Sequence, residues 1–128
     1  MDRIALACVA VLGVLLFGLG VSISMLRFRK GTLSGCEPDP SSLLYKFVRA
    51  HANTAEYAPF LAVLFLYLGA RSPSSATLAL IVAATVCRCL EVIGLLAFRT
   101  MAKPNPARFL GALGTYAAGI ALSLALLR

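Results

Sequence analysis

The 128-residue chain is 60% apolar and only 13% charged, against roughly 45–50% and 25% in an ordinary soluble domain, which excludes a soluble globular fold. Such hydrophobicity equally excludes a disordered chain, and four scattered cysteines are too few for a secreted disulfide scaffold. The net charge of +7 does not point to nucleic acid, because the basic residues punctuate apolar runs instead of clustering on one solvated face. A spanning helix takes about 20 apolar residues, so the length holds four spans and little else. The reading is an all-α integral membrane protein, a four-transmembrane-helix bundle forming one domain over residues 1–128.

The first span is Ile4 to Leu26, a charge-free run closed by Arg27, Phe28, Arg29 and Lys30, whose cations can snorkel to the interface. It is much longer than the roughly 7–15 apolar residues of a signal-peptide core and has no A-x-A cleavage site, so it reads as a retained helix. Gly31 to Ser42, with Gly35, Pro38 and Pro40, has the composition of a loop. The second helix is predicted from about Ser41 to Ala70. Its later half is apolar, whereas its first half carries Lys46, Arg49, His51, Asn53 and Glu56 and cannot face lipid.

A short turn at Arg71, Ser72 and Pro73 leads to a third helix, about Ser74 to Phe98, apolar except for Arg88 and Glu91. A second loop, Arg99 to Pro106, precedes the fourth span, Phe109 to Leu127, which is uncharged and capped by Arg108 and Arg128. Cys8, Cys87 and Cys89 fall in apolar spans as small hydrophobes, and the sequence offers no set of metal ligands. Gly111, Thr115, Gly119 and Ser123 recur every fourth residue and read as a packing stripe.

In a four-span chain the two termini and the middle turn share one side, with Arg3, Arg71 and Arg128. The opposite side carries Arg27, Arg29, Lys30, Lys46, Arg99, Lys103 and Arg108. Because positive charge stays in the cytoplasm, the termini are expected to face out and the two longer loops in.

At about 100° per residue, taking Arg49 as zero, Asn53 lies near 40°, Glu56 near −20° and Lys46 near 60°, while His51 lies near 200°. The first four therefore share a face, and His51 serves another contact. Buried charge in a membrane faces the bundle interior, pairs, and marks function. Two readings are open for the stripe: ligand binding, or an internal network in which Arg49 pairs with Glu56 and Asn53 bridges them. Arg88 and Glu91 either neutralise each other or join Arg49 and Glu56 in a four-charge cluster. Pro59 either opens a cavity by kinking the helix or is a bend that suits packing.

The segment Arg49-Ala50-His51-Ala52-Asn53-Thr54-Ala55-Glu56-Tyr57-Ala58-Pro59 closely resembles the second-helix signature of the MAPEG family, the membrane-associated proteins of eicosanoid and glutathione metabolism. The basic end of the first span, the lone Arg88 and the Arg108-Phe109-Leu110-Gly111 opening of the fourth extend the resemblance over nearly the whole chain. The compact loops are most similar to those of small bacterial members, which implies an inner-membrane location. The resemblance implies a homotrimer with glutathione as co-substrate, bound between subunits near the cytoplasmic boundary. It assigns glutathione contacts to Arg49, Asn53, Glu56 and Tyr57, to Arg88, and to Arg27 or Arg29; Arg108 matches the Arg beside the glutathione sulfur.

Two positions depart from the pattern. Where catalytic members tend to carry Tyr or His, and then Tyr, this chain has Glu91 and Leu95. The expectation is a glutathione-dependent transferase or peroxidase acting on lipophilic electrophiles that arrive from the membrane lipid. The alternative is a non-catalytic member that binds a lipid or a membrane protein, as the five-lipoxygenase-activating member does. A proton-coupled drug exporter ranks third, because such proteins place a carboxylate in the first helix and this first span has none.

Overall fold

The computed structural model describes residues 1–127, and four helices account for most of them: α1 (Arg3–Lys30), α2 (Leu43–Ala70), α3 (Ser75–Leu96) and α4 (Pro106–Ala125). Arg128, expected to cap the fourth span, lies outside the described residues. Three of these helices, α1, α3 and α4, are long and apolar enough to cross a membrane. α2 has the length, at 28 residues, and falls short only because its first half carries the polar residues noted above. It continues unbroken through Pro59.

Each helix starts and stops for a local reason. The Asp2 carboxylate accepts from the Ile4 and Ala5 amides at the head of α1. Gly31, left-handed at φ 66°, closes the helix behind Arg27, Arg29 and Lys30, which are part of its last turn. Ser74 caps α3 through the Thr77 amide. α4 begins three residues earlier than the apolar run suggests, because Asn105 caps it and Pro106 occupies its first position. Arg108 therefore lies within the first turn of α4 instead of flanking the helix.

The bundle has two ends. At one, the Asp2 amide donates to the Gly69 carbonyl at 2.9 Å, and a Cβ on Gly69 would stand 2.6 Å from that of Ala5, so α1 and the end of α2 touch closely. At the other, the two longer loops meet where the Met101 amide donates to the Pro40 carbonyl at 3.0 Å.

α3 and α4 run antiparallel in close contact. Gly94 abuts the backbone of Arg108, a Cβ on Gly111 would lie 2.5 Å from the Glu91 nitrogen, and Gly114 meets the Cys87 side chain. Ala84 and Ala118, both buried, belong to one apolar cluster in the half nearer the termini. Half of the four-residue stripe thus packs as expected, since Gly111 and Thr115 are buried, while Gly119 and Ser123, together with the edge of Thr115, line an open groove.

Two apolar clusters form the core. The larger, around Leu12, Leu64, Phe65, Ile81 and Leu122, occupies the half nearer the termini; the smaller, Leu19, Ala50, Val92 and Leu95, occupies the half nearer the long loops. Asn53, Arg88 and Glu91 lie between them along the sequence of α2 and α3. Outward faces are largely apolar, with Phe17 75% and Ile120 63% exposed, as lipid contact requires; the exceptions on α2 are Arg49 and Glu56.

Candidate functional site

Arg88 is the largest fully buried side chain among the described residues. Its Nη1 donates to Glu91 Oε2 at 2.6 Å and its Nη2 to Asn53 Oδ1 at 2.6 Å. The guanidinium also lies over the Tyr57 ring, 5.3 Å from its centre, a cation–π arrangement. Its Nε, buried, has no hydrogen-bond partner among the described atoms.

Burying a charge this way is tolerable only because Glu91, itself 3% exposed, comes from the same helix one turn on and neutralises it. This is the only ion pair among the described residues. It selects mutual neutralisation over the four-charge cluster.

The α2 stripe divides in two. Its inward edge is spent within the subunit: Asn53 on Arg88, and Lys46, 7% exposed, on the Leu96 and Phe98 carbonyls at 3.3 and 3.0 Å, where it finishes the C-terminus of α3. Its outward edge, Arg49 and Glu56, is exposed. No Arg49–Glu56 pair bridged by Asn53 forms among the described residues, which overturns the internal-network reading. His51 turns toward α1, its ring 3.5 Å from where a Cβ on Gly20 would stand, the separate contact that its position at about 200° implies.

Tyr57 connects this interior to a groove of about 540 Å³ between α2 and α4. Glu56, Tyr57, Thr115 and Tyr116 stand on its walls, and apolar residues such as Phe60 and Ile120 supply most of the rest. The two tyrosine rings are 5.5 Å apart with their hydroxyls at 3.5 Å. Tyr116 carries no signal in the sequence, because it joins the site only through the register of α4.

At the loop end, Arg108 is half-buried and its Nη1 makes one long contact, 3.5 Å, to the Met101 carbonyl. One turn further along α4, Gly111 rests on the backbone of Glu91, which brings α4's opening turns alongside the Arg88–Glu91 pair. Arg27 donates to the Gly35 carbonyl at 3.4 Å and has a buried Nε, whereas Arg29 is exposed beside Leu43 and Phe47. Arg88, Asn53 and Tyr57 therefore form one cluster, Glu56 borders the groove, and Arg49, Arg27, Arg29 and Arg108 make no direct contact with that cluster.

A four-helix membrane bundle with a polar layer on its second and third helices defines the class. The MAPEG family model matches residues 5–128, essentially the whole chain, and the chain belongs to that family. No curated protein and no solved structure matches it.

Proposed function

We propose that the protein is a membrane-bound glutathione transferase or peroxidase, in which glutathione is held at an interface between three identical subunits and its thiolate is stabilised by Arg108. Family membership supports a glutathione-related membrane function in general. The observation that carries the specific reading is the setting of Arg108. A cation in the first turn of a helix opposes the macrodipole, which costs about 0.3–1 kcal/mol. Among the described residues, one long contact to the Met101 carbonyl and the field of Glu91, already paired with Arg88, are what offset it. The helix end and the guanidinium instead add up to a positive field that an anion would relieve.

The exposed residues suit the rest of the tripeptide. Arg49 and Glu56 are seven residues apart on α2, about 10 Å at 1.5 Å per residue, a separation that lets Arg49 take a carboxylate while Glu56 takes the ammonium. Arg27 or Arg29, brought from a neighbouring subunit, would hold the second carboxylate with paired hydrogen bonds. Arg88 acts from behind, fixing Asn53 and Tyr57. Glu91 presents no bare negative charge to the tripeptide because Arg88 has already neutralised it.

In the reaction the thiol loses its proton to water, and the sulfur attacks an apolar electrophile that enters from lipid along the α2–α4 groove. As a transferase it forms a C–S bond while the bond to the leaving group breaks and that group departs as an anion. As a peroxidase it attacks a hydroperoxide oxygen, the O–O bond breaks to release the alcohol, and the oxidised sulfur condenses with a second glutathione to give the disulfide and water. A free thiol has a pKa of about 8.5, and each unit of depression corresponds to about 1.36 kcal/mol of thiolate stabilisation. We further place the loop end of the bundle, with its seven cations, at the cytoplasmic face of a bacterial inner membrane.

The test is ultraviolet thiolate absorbance of the purified protein with glutathione in detergent. Wild type is expected to show thiolate at a pH where free glutathione is protonated, and Arg108→Ala to lose it while still binding glutathione. If neither Arg108→Ala nor Arg108→Lys changes the signal or turnover, the non-catalytic lipid- or protein-binding reading replaces this one. Glu91 and Leu95, which stand where catalytic members tend to carry aromatic residues, are the observations in its favour.

A further inference from the structure

Asn105 does more at the head of α4 than a helix cap requires. A cap needs one acceptor, and Asn105 Oδ1 supplies it by accepting the Arg108 amide at 2.8 Å. Its Nδ2 also donates to the Gly94 carbonyl at 3.0 Å. That carbonyl lies in the last turn of α3, where helical partners run out. The side chain is 7% exposed, and both ends of its amide are used.

These two bonds join the same two residues that meet backbone to backbone. Gly94 has no Cβ, and one added there would stand 2.8 Å from Arg108 Cα. Asn105 thus locks Arg108 against Gly94, and with it the register that sets Gly111 on Glu91. Among the described residues, the Arg108 side chain has a single hydrogen bond, its 3.5 Å contact to the Met101 carbonyl, to orient it, so its location is decided by the backbone. The loop behind it is itself tied down, by the Met101 amide on the Pro40 carbonyl and by Lys46 on the Leu96 and Phe98 carbonyls.

We infer that Asn105 is a positioning residue for Arg108, holding the first turn of α4 in the register that places the guanidinium at the thiol; this rests on the thiolate role proposed above. Serine or threonine can still accept the Arg108 amide but cannot also donate across to Gly94 in the same geometry. A side chain wanted only for capping would be replaceable by either.

The experiment compares wild type, Asn105→Ser, Asn105→Thr and Arg108→Ala as full-length proteins in detergent. The measurements are the pH midpoint of thiolate absorbance with glutathione, glutathione affinity, the kcat and KM with a small apolar electrophile, and thermal unfolding. Asn105→Ser is expected to raise the midpoint by about half a unit to one unit toward that of free glutathione and to lower kcat about three- to tenfold. Glutathione affinity and KM should stay within about twofold. Asn105→Thr should behave alike, and it stands in if the serine variant does not fold.

Two outcomes overturn the proposal for different reasons. If the Asn105 variants lower the unfolding temperature but keep the wild-type midpoint, Asn105 is a cap and nothing more. If Arg108→Ala itself keeps that midpoint, the thiolate role of Arg108 has failed, and no positioning of it matters.

Discussion

Arg88 is buried among apolar helices with its counter-charge three residues away, and the whole interior on that level depends on the pair. Truncating either partner strands a charge in a medium that cannot solvate it, a loss of roughly 3–5 kcal/mol. Arg88→Ala and Glu91→Ala should each unfold far below wild type in a detergent thermal melt, while Arg88→Met with Glu91→Met should recover much of the loss. Arg49 and Glu56 should behave oppositely. Both are exposed and without an ion-pair partner among the described residues, so Arg49→Ala and Glu56→Ala are expected to melt like wild type and to lose glutathione binding, as isothermal titration would show. Folded variants that still bind would remove both residues from the proposed site.

How much of this was legible depends on which geometry is involved. The pairing of Arg88 with Glu91 follows from spacing on one helix, and so does the shared face of Lys46, Arg49, Asn53 and Glu56. The partition of that face does not. Lys46 and Asn53 turn inward because α2 is rotated so that the 40–60° edge meets α3, and helix rotation is set by packing across the bundle. Tyr116 was invisible for the same reason, as was Asn105, which looks like an ordinary loop residue until Gly94 is placed beside it.

At the scale of the elements, the α3–α4 contact rests on glycine. On Gly111 a Cβ would stand 2.5 Å from the Glu91 nitrogen and 2.8 Å from the Cys87 carbonyl, and backbone cannot swing aside as a side chain can. Gly111→Ala should therefore cost about 1–3 kcal/mol by overpacking and disturb thiolate formation through the shift of α4. Gly13 in α1 has open space around its Cβ position, so Gly13→Ala should be neutral or slightly stabilising, in line with helix propensity. Equal melting temperatures for the two variants would refute the close contact. The small-residue stripe of α4 was readable in outline, but two of the close α3–α4 contacts, made by Gly94 on α3 and Gly114 on α4, lie outside that four-residue period.

At the scale of the whole molecule, the subunit leaves Arg49 and Glu56 of α2 exposed, and an apolar groove open beside Glu56. A neighbouring copy of the chain would cover both. Detergent-corrected mass is expected to give three copies of the 13.5 kDa chain; a monodisperse monomer or dimer would count against an interfacial site. Orientation has its own probe. Cys36 is the one cysteine outside the four helices, and it is half-buried in the first long loop. If that loop is cytoplasmic, a membrane-impermeant thiol reagent should leave Cys36 unmodified in intact cells and label it in inverted vesicles, and the reverse pattern would invert the assigned topology.

The buried pair also bears on how the chain enters the bilayer during synthesis. A lone arginine at mid-helix raises the cost of insertion by roughly 2.5–3.5 kcal/mol. Because Glu91 travels on the same segment, α3 carries its own neutraliser and does not wait for a partner helix. Asn53 comes from α2, made earlier, and can add its hydrogen bond once the two hairpins dock. The order of events written into the helix is charge cancellation first and assembly second, so Glu91→Gln should be seen first as a fault of membrane insertion, before any question of catalysis arises.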